Sequence, residues 1–152
     1  MERQADDVWK ELIIEHSQFP RGHRALEAAT HEARGENPFC GDQVTVQLSV
    51  DRNGYLEAAS CQSVGCAISI ASASLLAQHL PGKTSEQALR LFEQVHELLT
   101  TPQRDGSDLG ELSALQLVKN YPSRVKCASL AWHTFRAALN PESGQTVTTE
   151  SD

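Results

Sequence analysis

Val64-Gly65-Cys66-Ala67-Ile68-Ser69-Ile70-Ala71-Ser72-Ala73-Ser74 reads as a strand-to-helix junction. A strand-like segment ends at a glycine, a cysteine follows at once, and a run of small and aliphatic residues suited to a packed helix comes next. Cys66 is thereby expected at or near a helix N-terminus. Unpaired N–H groups and the positive end of the helix dipole there stabilise a thiolate, the form that binds metal or attacks sulfur. Two other thiols belong to similar junctions: Cys40, in Asn37-Pro38-Phe39-Cys40-Gly41-Asp42, and Cys127, in Arg124-Val125-Lys126-Cys127. The rest of the chain reads as the scaffold that brings the three together.

Upstream of the junction, Val44, Val46, Leu48 and Val50 alternate with Gln43, Thr45, Gln47 and Ser49, the period of a strand with one buried face. Asp51-Arg52-Asn53-Gly54 carries the Asn-Gly signal of a tight hairpin. The return strand is expected from about Tyr55 to Gln62. A single hairpin is marginal, so helices must cover its apolar face. Further upstream, Val8, Leu12 and the Ile13/Ile14 pair predict an amphipathic helix over roughly 6–18, stopped by Phe19-Pro20-Arg21-Gly22. His16 on that helix is expected to be partly exposed rather than a ligand. Residues 23–36 are polar and weakly patterned, and read as a covering loop.

Downstream, the helix from Ala67 is expected to reach about Leu80 and stop at Pro81-Gly82-Lys83. Thr84-Ser85-Glu86-Gln87 has the form of a capping box and opens a helix to about Leu99, with Ala88, Leu91, Phe92, Val95, Leu98 and Leu99 as its apolar stripe. Asp108 is expected to cap another helix, with Leu112, Leu115 and Val118 facing inward. Tyr121-Pro122-Ser123 starts the last helix, whose Ala128, Ala131, Trp132, Phe135 and Leu139 form one face. The expectation is α+β: a small antiparallel sheet of two to three strands packed against four to five helices. Residues 1–139 form one domain, and 140–152 read as a disordered polar tail.

Composition narrows the function. At 152 residues the chain can bury about 70% of its unfolded surface, so it needs neither metal nor disulfides merely to own a core. A formal charge of −7 and the absence of a Lys/Arg run argue against nucleic acid or an anionic membrane as the main partner. No apolar stretch approaches a membrane span and no signal-peptide core is present, so a cytoplasmic protein is expected. In a reducing compartment, four cysteines point to metal or redox chemistry more than to disulfides.

Cys40-Gly41-Asp42 sets a thiolate and a carboxylate two residues apart around a glycine. With Cys66 and Cys127 this gives three sulfurs and one oxygen, a tetrahedral set that zinc accepts. Thiolates equally suit iron–sulfur chemistry, and buried, unrelated thiols are the plain alternative. Cys61 complicates the count, because Cys61 and Cys66 form C-x4-C and an all-cysteine set is conceivable. Its place near a strand end favours a small apolar core residue.

Three motifs in order then resemble a known family: Asn37-Pro38-x-Cys40-Gly41-Asp42; Gly65-Cys66-Ala67-Ile68-Ser69-x-Ala71-Ser72-Ala73-Ser74 with Gly82-Lys83; and Arg124-Val125-Lys126-Cys127-Ala128-x-Leu130-x-Trp132. They look like the SufU type, the zinc-dependent sulfur-transfer branch of the IscU/NifU N-terminal iron–sulfur scaffold family. Glu15-His16 and Pro20-Arg21 extend the likeness toward the start. Lys126 stands where IscU-type sequences carry a histidine, and the long separation of Cys66 from Cys127 resembles a SufU-type insertion around 100–110. The Cys61-Gln62-Ser63-Val64 run departs from the pattern at the strand end.

The resemblance implies Cys40, Asp42, Cys66 and Cys127 as ligands of Zn2+, with Cys40 as the acceptor thiol. It implies a sulfurtransferase that takes persulfide sulfur from a SufS-type cysteine desulfurase, a pyridoxal-phosphate enzyme, and serves downstream iron–sulfur assembly proteins. It also suggests that Cys40 leaves the metal on docking. The alternatives are a scaffold that assembles an iron–sulfur cluster on the same ligands, or a structural zinc domain. Arg124 and Lys126 either form a solvated basic face or orient Asp42 and meet acidic groups on the desulfurase.

Overall fold

The structure, a computed structural model, describes residues 5–38, 41–139 and 146–148. In chain order the elements are α1 (Ala5–Gln18), β1 (His31–Asn37), β2 (Asp42–Val50), β3 (Leu56–Val64), α2 (Ala67–His79), α3 (Ser85–Thr100), a 3-10 helix (Gly110–Val118), α4 (Pro122–Leu139) and β4 (Thr146–Thr148). The strands line up as β3-β2-β1-β4, the first three antiparallel and β4 parallel to β1. The α+β architecture expected from the sequence is thus the one observed.

The alternation in β2 is realised as far as Leu48; Val50, beyond a register shift at Ser49/Val50, is only half-buried. Asp42, Val44, Val46 and Leu48 are buried while the residues between them face outward or are half-covered. On β3, Leu56 and Cys61 complete the same face, and Val46 lies directly opposite Cys61. The hairpin loop holds its Asn-Gly pair differently from a two-residue turn, which needs positive φ at both central positions. Only Gly54 turns left-handed, at φ 84°, and the Asp51 carboxylate accepts from the amides of Asn53 and Tyr55 at 2.8 and 3.0 Å.

α2 runs through the middle of the domain, buried from Ala71 to Ala77, because it packs on α1, α4 and β3 at once. Ser72 joins it to α4. The Ser72 hydroxyl donates to the Ala128 carbonyl at 2.5 Å and accepts from the Trp132 indole at 3.0 Å. α3 opens with the capping box read from the sequence: the Thr84 hydroxyl takes the Gln87 amide, and the Gln87 side chain takes the Thr84 amide. The apolar stripe expected for it is buried.

Four expectations are corrected. Residues 31–37 form a strand, not part of a loop. The inward residues of β1 are Ala33, Gly35 and Asn37, small or polar because α4 crosses directly over them, so no hydrophobic alternation shows. A Cβ on Gly35 would overlap the Thr134 hydroxyl. The segment 110–118 is a 3-10 helix, whose three-residue turn is the spacing of Leu112, Leu115 and Val118. Asp108 does not cap it; its carboxylate pairs instead with the Arg104 guanidinium at 2.8 Å. His16 is fully buried, held by a 2.7 Å hydrogen bond between Nδ1 and the Ser74 hydroxyl.

Within 140–152, expected to lack structure, the β-branched Thr146-Val147-Thr148 lie parallel to Arg34–Glu36 of β1; the remaining residues of that stretch lie outside the described residues. Among the described residues no helix is long and apolar enough to cross a membrane.

Candidate metal centre

Three elements end or begin at one point. β2 starts at Asp42, β3 ends beside it because Gln43 pairs with Val64, and the chain then turns through Gly65 into α2. The amide of Gly41 donates to the Asn37 carbonyl at 2.8 Å, which closes the β1–β2 link and fixes where Asp42 enters the sheet. Asp42 is wholly buried. A carboxylate there must be compensated by donors or by a cation.

Part of that compensation is visible. Cys66 is the N-cap residue of α2, with φ −73° and ψ 162°. Its backbone amide donates to Asp42 Oδ1 at 2.9 Å, and its thiol lies 3.6 Å from Oδ2. The carboxylate therefore sits at the positive end of α2, and Cys66 is half-exposed at the mouth of the site. Cys127 approaches from the other side, buried in the second turn of α4. The Ser72–Ala128 and Ser72–Trp132 hydrogen bonds hold that turn against α2.

Gly65 makes the approach possible, a role the sequence reading missed. Its φ is +145°, and a Cβ there would overlap the Asp42 carboxylate and come within 2.9 Å of the Asp42 Cα. The signal was present in the sequence as a glycine between a strand end and a cysteine. What it lacked was the identity of the neighbour across the sheet.

One ligand atom from each of Asp42, Cys66 and Cys127 lies within 4.8 Å of the other two. Zn–S bonds of about 2.3 Å and Zn–O bonds of about 2.0 Å place tetrahedral ligands roughly 3.3–3.8 Å apart, so a modest inward adjustment suffices. Two thiols, one buried carboxylate and a half-open mouth fit zinc. Of the four residues expected at the site, the structure thus brings three together; Cys40, two residues before Asp42, lies outside the described residues.

The other candidates fall away from this point. Cys61 is not in the cluster; it is buried in the sheet core, and burial pushes its thiol up, so it stays protonated. His16 is held below the usual imidazole value by burial and then by the Arg21 charge, and its partner is Ser74. His133 packs edge-on against Phe92 and His96. Lys126 is half-buried beside Cys127, whereas Arg124 is exposed at the start of α4.

Residues 8–128 match the family described as NifU-like N terminal domain. The zinc-dependent sulfurtransferase SufU of Bacillus subtilis (strain 168) is 33% identical over 140 residues, spanning 91% of this chain and 94% of that one. The iron–sulfur cluster assembly scaffold protein IscU of Thermotoga maritima is also 33% identical, over 132 residues, 87% of this chain and 92% of its own. Among solved structures, a putative iron–sulfur cluster assembly scaffold protein for the SUF system from Fervidobacterium islandicum AW-1 superposes with a TM-score of 0.80. It is 31% identical and covers 90% of this chain and 100% of its own. With the fold, the Asp42–Cys66–Cys127 cluster and these likenesses in agreement, the chain belongs to the NifU-like N-terminal domain family, among the SufU and IscU proteins of iron–sulfur cluster assembly.

Proposed function

We propose that this chain is a zinc-dependent sulfur acceptor that takes persulfide sulfur from a SufS-type cysteine desulfurase in the cytoplasm and passes it toward iron–sulfur cluster assembly. The observation that carries this reading is the buried Asp42 carboxylate facing two thiols at the head of α2, followed in α4 by Lys126 rather than a histidine before Cys127. Asp42, Cys66 and Cys127, with Cys40, would hold the ion. Zinc supplies charge that keeps thiols as thiolates without redox activity of its own.

The chain's residues divide the work. Asp42 and the α2 N-terminus orient Cys66. The packing of α4 on α2 fixes Cys127. Cys40 is the acceptor: its thiolate attacks the outer sulfur of the desulfurase persulfide. One S–S bond forms on Cys40 as the S–S bond on the donor breaks, and the donor cysteine leaves as its thiolate. The exchange has no net oxidation and obeys the rules of thiol–disulfide exchange.

Anaerobic native mass spectrometry tests this after incubation with a pyridoxal-phosphate cysteine desulfurase and cysteine. Zinc retained with one added sulfur in the wild type and none in Cys40→Ala is expected. The equal identity to an IscU scaffold favours a second reading, in which a cluster is assembled on the same ligands. Iron and sulfide in place of zinc would select it.

A further inference from the structure

Beside the metal cluster lies an open groove of about 720 Å3 lined by Lys10, Ala67, Ile68, Leu117, Val118, Tyr121 and Arg124. It is built where α1, the start of α2, the end of the 3-10 helix and the start of α4 meet. Ala67 directly follows Cys66, and Arg124 lies three residues before Cys127, so whatever fills the groove is brought against the thiols.

Two properties set this surface apart. Its floor is apolar, and Tyr121 stands 62% exposed at its edge. Its charged residues, Lys10 and Arg124, are both cationic, with no carboxylate in the lining. That runs against a chain with 20 acidic and 13 basic residues. Three arginines elsewhere find carboxylates: Arg21 pairs with Glu15, Arg90 with Glu86 and Arg104 with Asp108. Among the described residues, the side chains of Lys10 and Arg124 make no such pair and no hydrogen bond.

We infer that this groove receives a protein segment that presents a carboxylate beside an apolar side chain, carried by the protein that exchanges sulfur at the neighbouring thiols. The inference rests on the sulfur-acceptor reading and names the docking surface for its donor. The apolar side chain covers Ile68, Leu117 and Tyr121, where desolvation gives affinity. The carboxylate meets Lys10 and Arg124, which give orientation and a fast, salt-sensitive encounter. A nucleic acid is disfavoured by the charge of the whole chain.

The test is the affinity of the zinc-loaded full chain for a pyridoxal-phosphate cysteine desulfurase, by calorimetry at low and high salt. The variants are the Lys10→Glu/Arg124→Glu double, the Lys10→Arg/Arg124→Lys double, and Arg52→Glu at the far end of the sheet. Zinc content and melting temperature establish that each is folded. Charge reversal is expected to weaken binding at least about tenfold and to flatten its salt dependence. The conservative double and Arg52→Glu should stay within about twofold of wild type. If wild type binds and the reversed double binds equally well, the groove inference is overturned while sulfur acceptance stands. If wild type keeps its zinc but neither binds nor accepts sulfur, both readings fall. A photo-crosslinker at Tyr121 reads the segment directly, and capture of a desulfurase stretch without Asp or Glu would refute the acidic assignment.

Discussion

Cys61 and Cys66 stand five residues apart on one strand and its exit, and their environments are opposite. Cys61 lies inside the sheet across from Val46, and burial keeps its thiol neutral. Cys66 lies at the head of α2, half-exposed, with its amide on the Asp42 carboxylate. The same side chain is thus a small apolar filler in one place and a metal-ready group in the other. The difference comes from backbone position: a strand interior offers no spare N–H group or opening, whereas a strand-to-helix junction offers both.

The largest expected effect divides the cysteines by metal content. Cys66→Ser and Cys127→Ser should each lower zinc affinity at least about tenfold, while Cys61→Ala keeps the wild-type stoichiometry. Elemental analysis after dialysis reads this, and loss of zinc from Cys61→Ala would erase the distinction between the two thiols. Next comes the junction itself. Gly65→Ala should cost about 3 kcal/mol or more, because positive φ is strained for alanine and the Asp42 backbone cannot retreat. Urea unfolding measures the loss, and zinc should fall with it.

Cys61→Ala should cost only about 1 kcal/mol, the price of a small cavity in the sheet core. The comparison sharpens with pH. The unfolded chain releases this proton near the ordinary thiol value of 9.0, while the folded chain holds it well above. Wild-type stability from this group is therefore intact below that value and declines as pH rises past it. The margin of wild type over Cys61→Ala should narrow in alkaline urea titrations.

The smallest effect concerns His16, a buried titratable group with a purely structural partner. Its folded value is lowered from 6.5, so its contribution is present above 6.5 and is lost as pH falls below it. The stability gap between wild type and His16→Gln should shrink on mild acidification. A constant gap would mean that the folded chain takes up this proton as readily as the unfolded one.

What was legible in the sequence was written in side-chain chemistry. The β2 alternation, the Thr84–Gln87 box, the α3 stripe and the Gly65-Cys66 junction each need only a short window to read. What was hidden depended on distant neighbours. β1 carries Ala33 and Gly35 inward because α4 lies on them, so its strand character has no apolar signature. His16 is buried by Ser74, which is 58 positions away. Arg104 took the carboxylate that Asp108 was expected to offer a helix. At the site, the residue types and their order pointed to Asp42, Cys66 and Cys127, but the reason Gly65 must be glycine emerged only from the register of β2 against β3.

The short parallel pairing of Thr146–Thr148 with Arg34–Glu36 has a consequence for how the molecule meets copies of itself. It occupies main-chain donors and acceptors along β1 that would otherwise point outward. A shortened chain ending at Leu139 would present that row to any passing strand, and unpaired strand edges are templates for association. Light scattering of the shortened protein at rising concentration should show growth in particle size that the full chain does not. Three residues with little in common with the chemistry of the domain would then act as a guard on its solubility.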